Sequence, residues 1–178
     1  PEIQELIKAS AGLNLALDYL PGSFAFDPAI GPAPDAELAS RIVWFDAYVT
    51  NVDRTVRNTN LLVWHKRLWL IDNGAALYFH YAGPDYAARA LSRFPEIRNH
   101  VLLRQASSLR QVDEALTARL TPEVIGAIVA RIPDVWCDDP AFSTPDERRA
   151  AYVAYLSARL QAPRAFVEEA IDARAQLV

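Results

Sequence analysis

Three side chains within one short stretch have the types and spacing for phosphate chemistry. In "YVTNVDRTVRNTNLLVWHKRLWLIDNGAAL", residues 48–77, Asp53 is followed five positions later by Asn58. Asp72 returns after two apolar runs, just ahead of Asn73 and Gly74. Residues 60–64 and 68–72 read as two strands around His65-Lys66-Arg67, a hairpin with a short loop. A hairpin centred near 65–66 sets residue 58 opposite 73 and residue 59 opposite 72. Antiparallel partners lie ~5 Å apart between Cα atoms, so Asn58 and Asp72 are expected side by side. Two hard oxygen donors so placed suit Mg²⁺, which takes oxygens at about 2.0–2.1 Å and leaves other positions to water and phosphate. Asp53, on the loop in front, then faces whatever the metal holds. One carboxylate in front, with Asn and Asp on metal behind, is the working arrangement of phosphoryl transfer.

The elements that must position these residues can be read from apolar spacing. "DAELASRIVWFDAYVTN" (35–51) predicts a helix with Asp35 as its N-cap or first-turn residue and Leu38, Ile42, Phe45 and Val49 as its inward stripe. It delivers the chain directly to Asp53. Upstream, 2–10 predicts a helix with Ile3, Leu6 and Ile7 on one face, ended by Gly12. "LNLALDYL" (13–20) alternates like a strand, although its length leaves a helix open, and a Pro- and Gly-rich loop runs from Pro21 to Pro34. Beyond Gly83-Pro84 the pattern is helical. Thr121 and Pro122 open a helix with Val124, Ile125, Ile128 and Val129 inward. Thr144 and Glu147 form a capping box ahead of a stripe of Ala151, Tyr152, Tyr155 and Leu156, and a last helix spans about 163–176. Residues 1–178 thus read as one α+β domain, mostly α, with a small β-hairpin at the site. There are no repeats and no linker.

"NVDRTVRNTNLL…LWLIDNG" resembles the catalytic core of HipA-like kinases and, more distantly, the Asp-Arg-x-x-x-Asn loop of phosphoinositide kinases. The resemblance covers residues 44–77; "LDYLPGS" (17–23) and "RRAAYVAYLSARL" (148–160) look like flanking family features. It implies a protein-kinase-like C-terminal lobe that moves the γ-phosphate of ATP, with Mg²⁺, to a hydroxyl acceptor such as a protein Ser or Thr. Asp53 would be the catalytic base, and Asn58 and Asp72 the metal ligands. Arg54 or Arg57 would steady phosphate charge, and Tyr19 and Leu20 would belong to a hinge strand beside adenine. The sequence departs from protein kinases in four respects. "TNVD" stands for His-Arg-Asp, Asn73 replaces the Phe of Asp-Phe-Gly, and neither a Gly-rich phosphate loop nor a strand lysine precedes the site. Thr55 stands where phosphoinositide kinases carry a histidine. Two other readings stay open: a non-catalytic kinase-fold module that binds a partner, and a phosphotransferase acting on a small molecule. Arg54 and Arg57 equally suit ion pairs with Asp46, Asp53 or Asp72 that hold the loop.

Composition narrows the partners. The chain is 52% hydrophobic and 22% charged, with a net charge of −4 and pI near 5.4. That balance offers no basic surface for nucleic acid or an anionic membrane. No apolar run approaches the ~20 residues of a membrane span, and no signal peptide is evident. Cys137 is the only cysteine, so no internal disulfide forms and a reducing, cytoplasmic setting is expected. Its neighbours Asp138 and Asp139 disfavour a thiolate, so Cys137 reads as a partly buried, unreactive thiol. The basic residues are almost all arginine, as in proteins of GC-rich bacterial genomes, with lysine only at positions 8 and 66. The chain begins at Pro1 and has no methionine, which reads as a piece of a longer or processed protein. His65, His80 and His100 lack zinc-site spacing, and no G-x-S-x-G elbow supports hydrolase chemistry. The four tryptophans read as packing residues.

Overall fold

Helix α2 (Ala36–Tyr48) is the axis of the fold. Asp35 starts it as expected: its Oδ1 accepts the Leu38 N–H at 2.7 Å, satisfying one of the orphan donors of the first turn. In this computed structural model, which describes residues 2–31, 33–77 and 89–177, α2 is buried by neighbours on several sides. Its inward arc is Ala39, Ile42, Val43, Trp44, Ala47 and Tyr48, whereas Leu38 and Phe45 remain 40% exposed. The expected stripe of Leu38, Ile42, Phe45 and Val49 was therefore rotated. A spacing argument finds the most apolar arc, but Trp44 carries more surface and finds a buried partner for its indole N–H. That N–H donates to Asp113 Oδ1 at 2.8 Å.

The hairpin forms with the expected register. Strands β2 (Leu61–Trp64) and β3 (Arg67–Leu70) pair Leu61 with Leu70 and Trp64 with Arg67. The turn is tighter than expected, only His65 and Lys66, both at positive φ (48° and 61°). Such a turn matches the twist of the flanking strands. Strand β1 (Phe24–Ala25) adds to the outer side of β2, giving an antiparallel sheet in the order β1-β2-β3. Residues 13–20, expected to be a strand, have no regular structure, and Leu13, Leu15, Leu17 and Tyr19 are all exposed. Alternation alone cannot make a strand without a partner edge. The segment is instead tied by two indoles: Trp136 donates to Leu13 O at 3.0 Å and Trp64 to Pro21 O at 2.9 Å. Before it, α1 (Glu2–Ala9) also leaves Ile3 and Ile7 exposed.

The expected helical half, beyond Gly83-Pro84, starts outside the described residues. From Leu109 on the chain is mostly helical, while Pro95–Asn99 and Leu103–Gln105 form only short 3-10 turns. Helices α3 (Leu109–Arg119) and α4 (Pro122–Val129) are joined by a short turn, as are α5 (Pro145–Arg159) and α6 (Ala165–Ala175). A longer segment, 130–144, with the helical turn Asp134–Trp136, links α4 to α5. Thr121 caps α4 through the Val124 N–H (3.3 Å) and Thr144 caps α5 through the Glu147 N–H (3.2 Å). Glu147 reaches back one residue further than a capping box requires, accepting the Ser143 N–H at 2.8 Å. In α4 only Ile125 and Val129 are buried, and in α5 Tyr152, Tyr155 and Arg159. One core cluster joins α2, the hairpin, α3 and α6 through Trp44, Leu61, Leu109 and Phe166. A second joins α4 to α5 through Ile125, Val129, Tyr152 and Tyr155.

Between the clusters lies Arg159, almost fully buried. Its guanidinium donates to the last carbonyls of α2, Ala47 O and Tyr48 O (both 2.8 Å), and to Ala90 O and Ser92 O (3.2 and 3.3 Å). These carbonyls have no partner inside the helix, so the side chain caps α2 from outside. Burial holds the Arg159 pKa below its ordinary value.

Candidate active site

The loop that follows α2 is built around a buried carboxylate. Asp46, on the last turn of α2, accepts the Arg54 Nε–H at Oδ2 (2.6 Å) and the Asn51 side-chain amide at Oδ1 (2.9 Å). His100 Nε2 also lies 2.9 Å from Oδ2. The Leu102 N–H donates to His100 Nδ1 at 3.0 Å, so the proton of this imidazole sits on Nε2 and points at Asp46. Burial pushes the Asp46 carboxyl up, but the hydrogen bonds from His100 and Arg54 and the Arg54 charge outweigh it. The pKa lies below the usual carboxylate value.

Arg54 carries this anchor outward. Its Nη2 donates to Asn73 Oδ1 at 2.6 Å, and its Nη1 bonds Asn60 O and reaches Ile71 O at 3.4 Å. One guanidinium thus ties the end of α2 to both strands' outer ends. Of the two readings of Arg54, the structure gives the loop-holding one: the side chain is fully buried and its donors are committed inward. Arg57 is exposed and makes no side-chain hydrogen bond or ion pair among the described residues.

On this frame sit the residues with chemistry. Asn51 Oδ1 accepts the Asp53 N–H at 3.1 Å and fixes the start of the loop. Asp53 is half-buried, and its Oδ2 accepts from Asn58 Nδ2 at 2.8 Å and Asn60 Nδ2 at 3.1 Å. The loop closes through the Thr55 N–H to Asn58 O (2.9 Å) and the Asn58 N–H to Thr55 Oγ1 (3.3 Å). Asp53 and Asn58 therefore meet directly. Asp72 arrives by a different route from the one expected. The paired ladder ends at Leu61–Leu70, one further bond joins the Ile71 N–H to Asn60 O (3.0 Å), and Asp72 then turns with φ 47°. Asn60, not Asn58, approaches it, with Nδ2 3.5 Å from Asp72 O. The Asp72 side chain is exposed, and its Oδ1 accepts the Gly74 N–H at 3.4 Å.

Asn60 is the residue that sequence reading missed. It sits at φ 46°, a left-handed conformation that asparagine tolerates better than most residues. From there its amide spans Asp53 and the Asp72 main chain. The signal was present as the second Asn of "NTN", beside a strand start. His100 was also missed, because it lies 54 positions from Asp46.

The donor types are those a hard cation takes, although the structure brings Asn58 to Asp53 and Asn60, not Asn58, to Asp72. The Asn58 amide nitrogen is engaged by Asp53 while its Oδ1 has no partner among the described residues, and the Asp72 carboxylate is exposed with one long contact among them. Asp53, Asn58 and Asp72 together offer only oxygens, the ligand type Mg²⁺ takes. Among the described residues no group of three His, Cys, Asp or Glu gathers as a metal site. The adenine-hinge expectation finds no strand: Tyr19 is 81% exposed, and Leu20 O accepts the Ser23 N–H at 3.1 Å in a turn. Cys137 is fully buried rather than partly so. No helix among the described residues is long and apolar enough to cross a membrane.

Stability should carry the signature of Asp46. Its folded pKa lies below the unfolded value near 3.8, so its contribution is present above that pH and is lost as pH falls through the folded pKa. Urea unfolding between pH 6 and 3 should show wild type losing more stability than an Asp46→Asn variant over the same fall. Parallel pH profiles would count against the pairing.

Compared with protein-family models, with curated proteins and with solved structures, the chain has no significant match.

Proposed function

We propose that the chain is the catalytic lobe of a HipA-like kinase, transferring the γ-phosphate of ATP to a hydroxyl acceptor on a protein. The observation that carries the reading is the Asp53 carboxylate. It is half-buried and oriented by two side-chain amides, on a loop whose neighbouring arginine is locked into the core. A carboxylate held this way, with one oxygen engaged, can accept a proton from a hydroxyl through the other. Asn58 and Asp72 would hold Mg²⁺, which when bound neutralises charge on the phosphates. Asp53 then orients the acceptor hydroxyl and takes its proton. Asn60 keeps the Asp53 carboxylate turned toward the Asp72 side of the site, and Arg54 prevents the loop from drifting. Positioning of this kind is the main protein contribution to phosphoryl transfer.

The test is transfer of labelled γ-phosphate from Mg·ATP to protein by the full-length protein, beside its Asp72→Ala variant. Label should appear with wild type and be lost in the variant. Affinity for ATP should fall in the variant with Mg²⁺ present and stay unchanged in EDTA. Wild-type protein that neither transfers label nor binds Mg·ATP through Asp72 would leave the opening stretch as a capped loop and a turn.

A further inference from the structure

A cleft opens behind the loop that follows Asp53. It is about 530 Å³ and is lined by Thr55, Val56 and Arg57, by Arg98, Asn99, His100 and Val101, by Arg104 and by Leu177. That volume is in the range of small-molecule sites, roughly 300–1,000 Å³. Its charge is at odds with the whole chain: the protein carries −4, yet this lining holds three arginines and no carboxylate. All three are exposed, and none makes a side-chain hydrogen bond or ion pair among the described residues. Outside the cleft, Arg110 pairs with Glu168 and Arg164 with Asp113, whereas Arg67, Arg119 and Arg131 are likewise without a side-chain hydrogen bond or ion pair among the described residues. What sets the cleft apart is that three such cations share one lining. The three come from separate segments, the loop after Asp53, the turn Pro95–Asn99 and the turn Leu103–Gln105. Those segments are tied together behind the cleft by the Thr55–His100 bridge and by the Val101 N–H to Arg54 O at 3.1 Å. The frame is fixed, and among the described residues the charges have no partner.

We infer that this cleft binds a free organic phosphate, with the phosphate on Arg57, Arg98 and Arg104 and an apolar body against Val56, Val101 and Leu177. Guanidinium forks suit phosphate oxygens, and three unpaired cations favour a ligand of at least two negative charges over a single carboxylate. Asp53, Asn58 and Asp72 do not line the cleft, although Thr55, Val56 and Arg57 belong to the loop between the first two. The contacts inferred here need no metal.

The probe is phenyl phosphate, titrated into the protein in EDTA and followed by amide ¹H–¹⁵N shifts, with inorganic phosphate and pyrophosphate as competitors. Saturable one-to-one binding is expected, with shifts centred on residues 55–57 and 98–104. The Arg98→Gln/Arg104→Gln variant should bind about tenfold more weakly or worse, the loss of about 1.4 kcal/mol or more. A pair of exposed arginines outside the cleft, Arg119→Gln/Arg131→Gln, should bind as wild type. Circular dichroism should be unchanged in both, since all four side chains are exposed. The inference is overturned by the absence of saturation with all three phosphates, which is also the result if only a phosphorylated protein is recognised. It is equally overturned by shifts centred elsewhere, or by equal weakening in the two double variants.

Discussion

Asp53→Asn should abolish most phosphate transfer while leaving the fold and nucleotide binding in place. Removing a positioned general base costs about 10²–10⁴ in rate, and asparagine keeps the shape of the side chain. Its carbonyl oxygen can still accept from Asn58 or Asn60, which now reach Asp53 Oδ2 at 2.8 and 3.1 Å. Single-turnover kinetics with Mg·ATP should therefore show the rate falling by that range, with affinity for Mg·ATP changed by no more than a few fold. Variants that lose an interaction made only during reaction lower kcat in this way. A variant that transfers phosphate within threefold of wild type would remove Asp53 from the chemistry. The loop geometry would then be an end in itself.

The largest expected effect on stability is that of Arg54→Ala. Arg54 and Asp46 are both fully buried, 2.6 Å apart. Removing one member of a buried pair leaves the other charge without its partner, at a cost of about 3–5 kcal/mol. Asp46 would keep only the Asn51 amide and the His100 imidazole. Asn60 O, Ile71 O and Asn73 Oδ1 would lose a donor as well. Arg54→Lys should recover only part of the loss, because an ammonium cannot present a planar fork to Asp46 and Asn73 at once. Urea midpoints of the two variants should rank wild type above lysine above alanine. A lysine variant as stable as wild type would mean that charge alone, not the fork, holds the loop.

How much of this was legible depended on range. The hairpin register was readable because two apolar runs meet around a short turn, and once the turn is placed every cross-strand pair follows. The helix caps at Asp35, Thr121 and Thr144 were local as well. The place of Asn58 was not readable: register set it beside Asp72, but the ladder ends at Leu61–Leu70 and Asn58 turns back to Asp53 instead. What else could not be read was set by partners distant in sequence. The buried face of α2 turned on Asp113 meeting the Trp44 indole across 69 positions. The choice between phosphate contact and structural anchor for Arg54 turned on Asp46 and His100. Alternation in residues 13–20 looked like a strand, but no described edge pairs with it. Asn60 was overlooked because a left-handed residue beside a strand leaves no periodic trace.

The buried Arg159 also bears on how the domain comes apart. Its guanidinium lies 4.8 Å from the Phe166 ring and 5.7 Å from the Tyr155 ring, one from each core cluster. Melting α4 and α5 while α2 stays folded would pull the cation from the α2 terminus and leave Ala47 O and Tyr48 O without their donor. Partly unfolded forms are penalised from both sides. The two clusters, separate as packing, should therefore behave as a single cooperative unit. Amide hydrogens of α2 and α5 should then exchange with the same opening free energy.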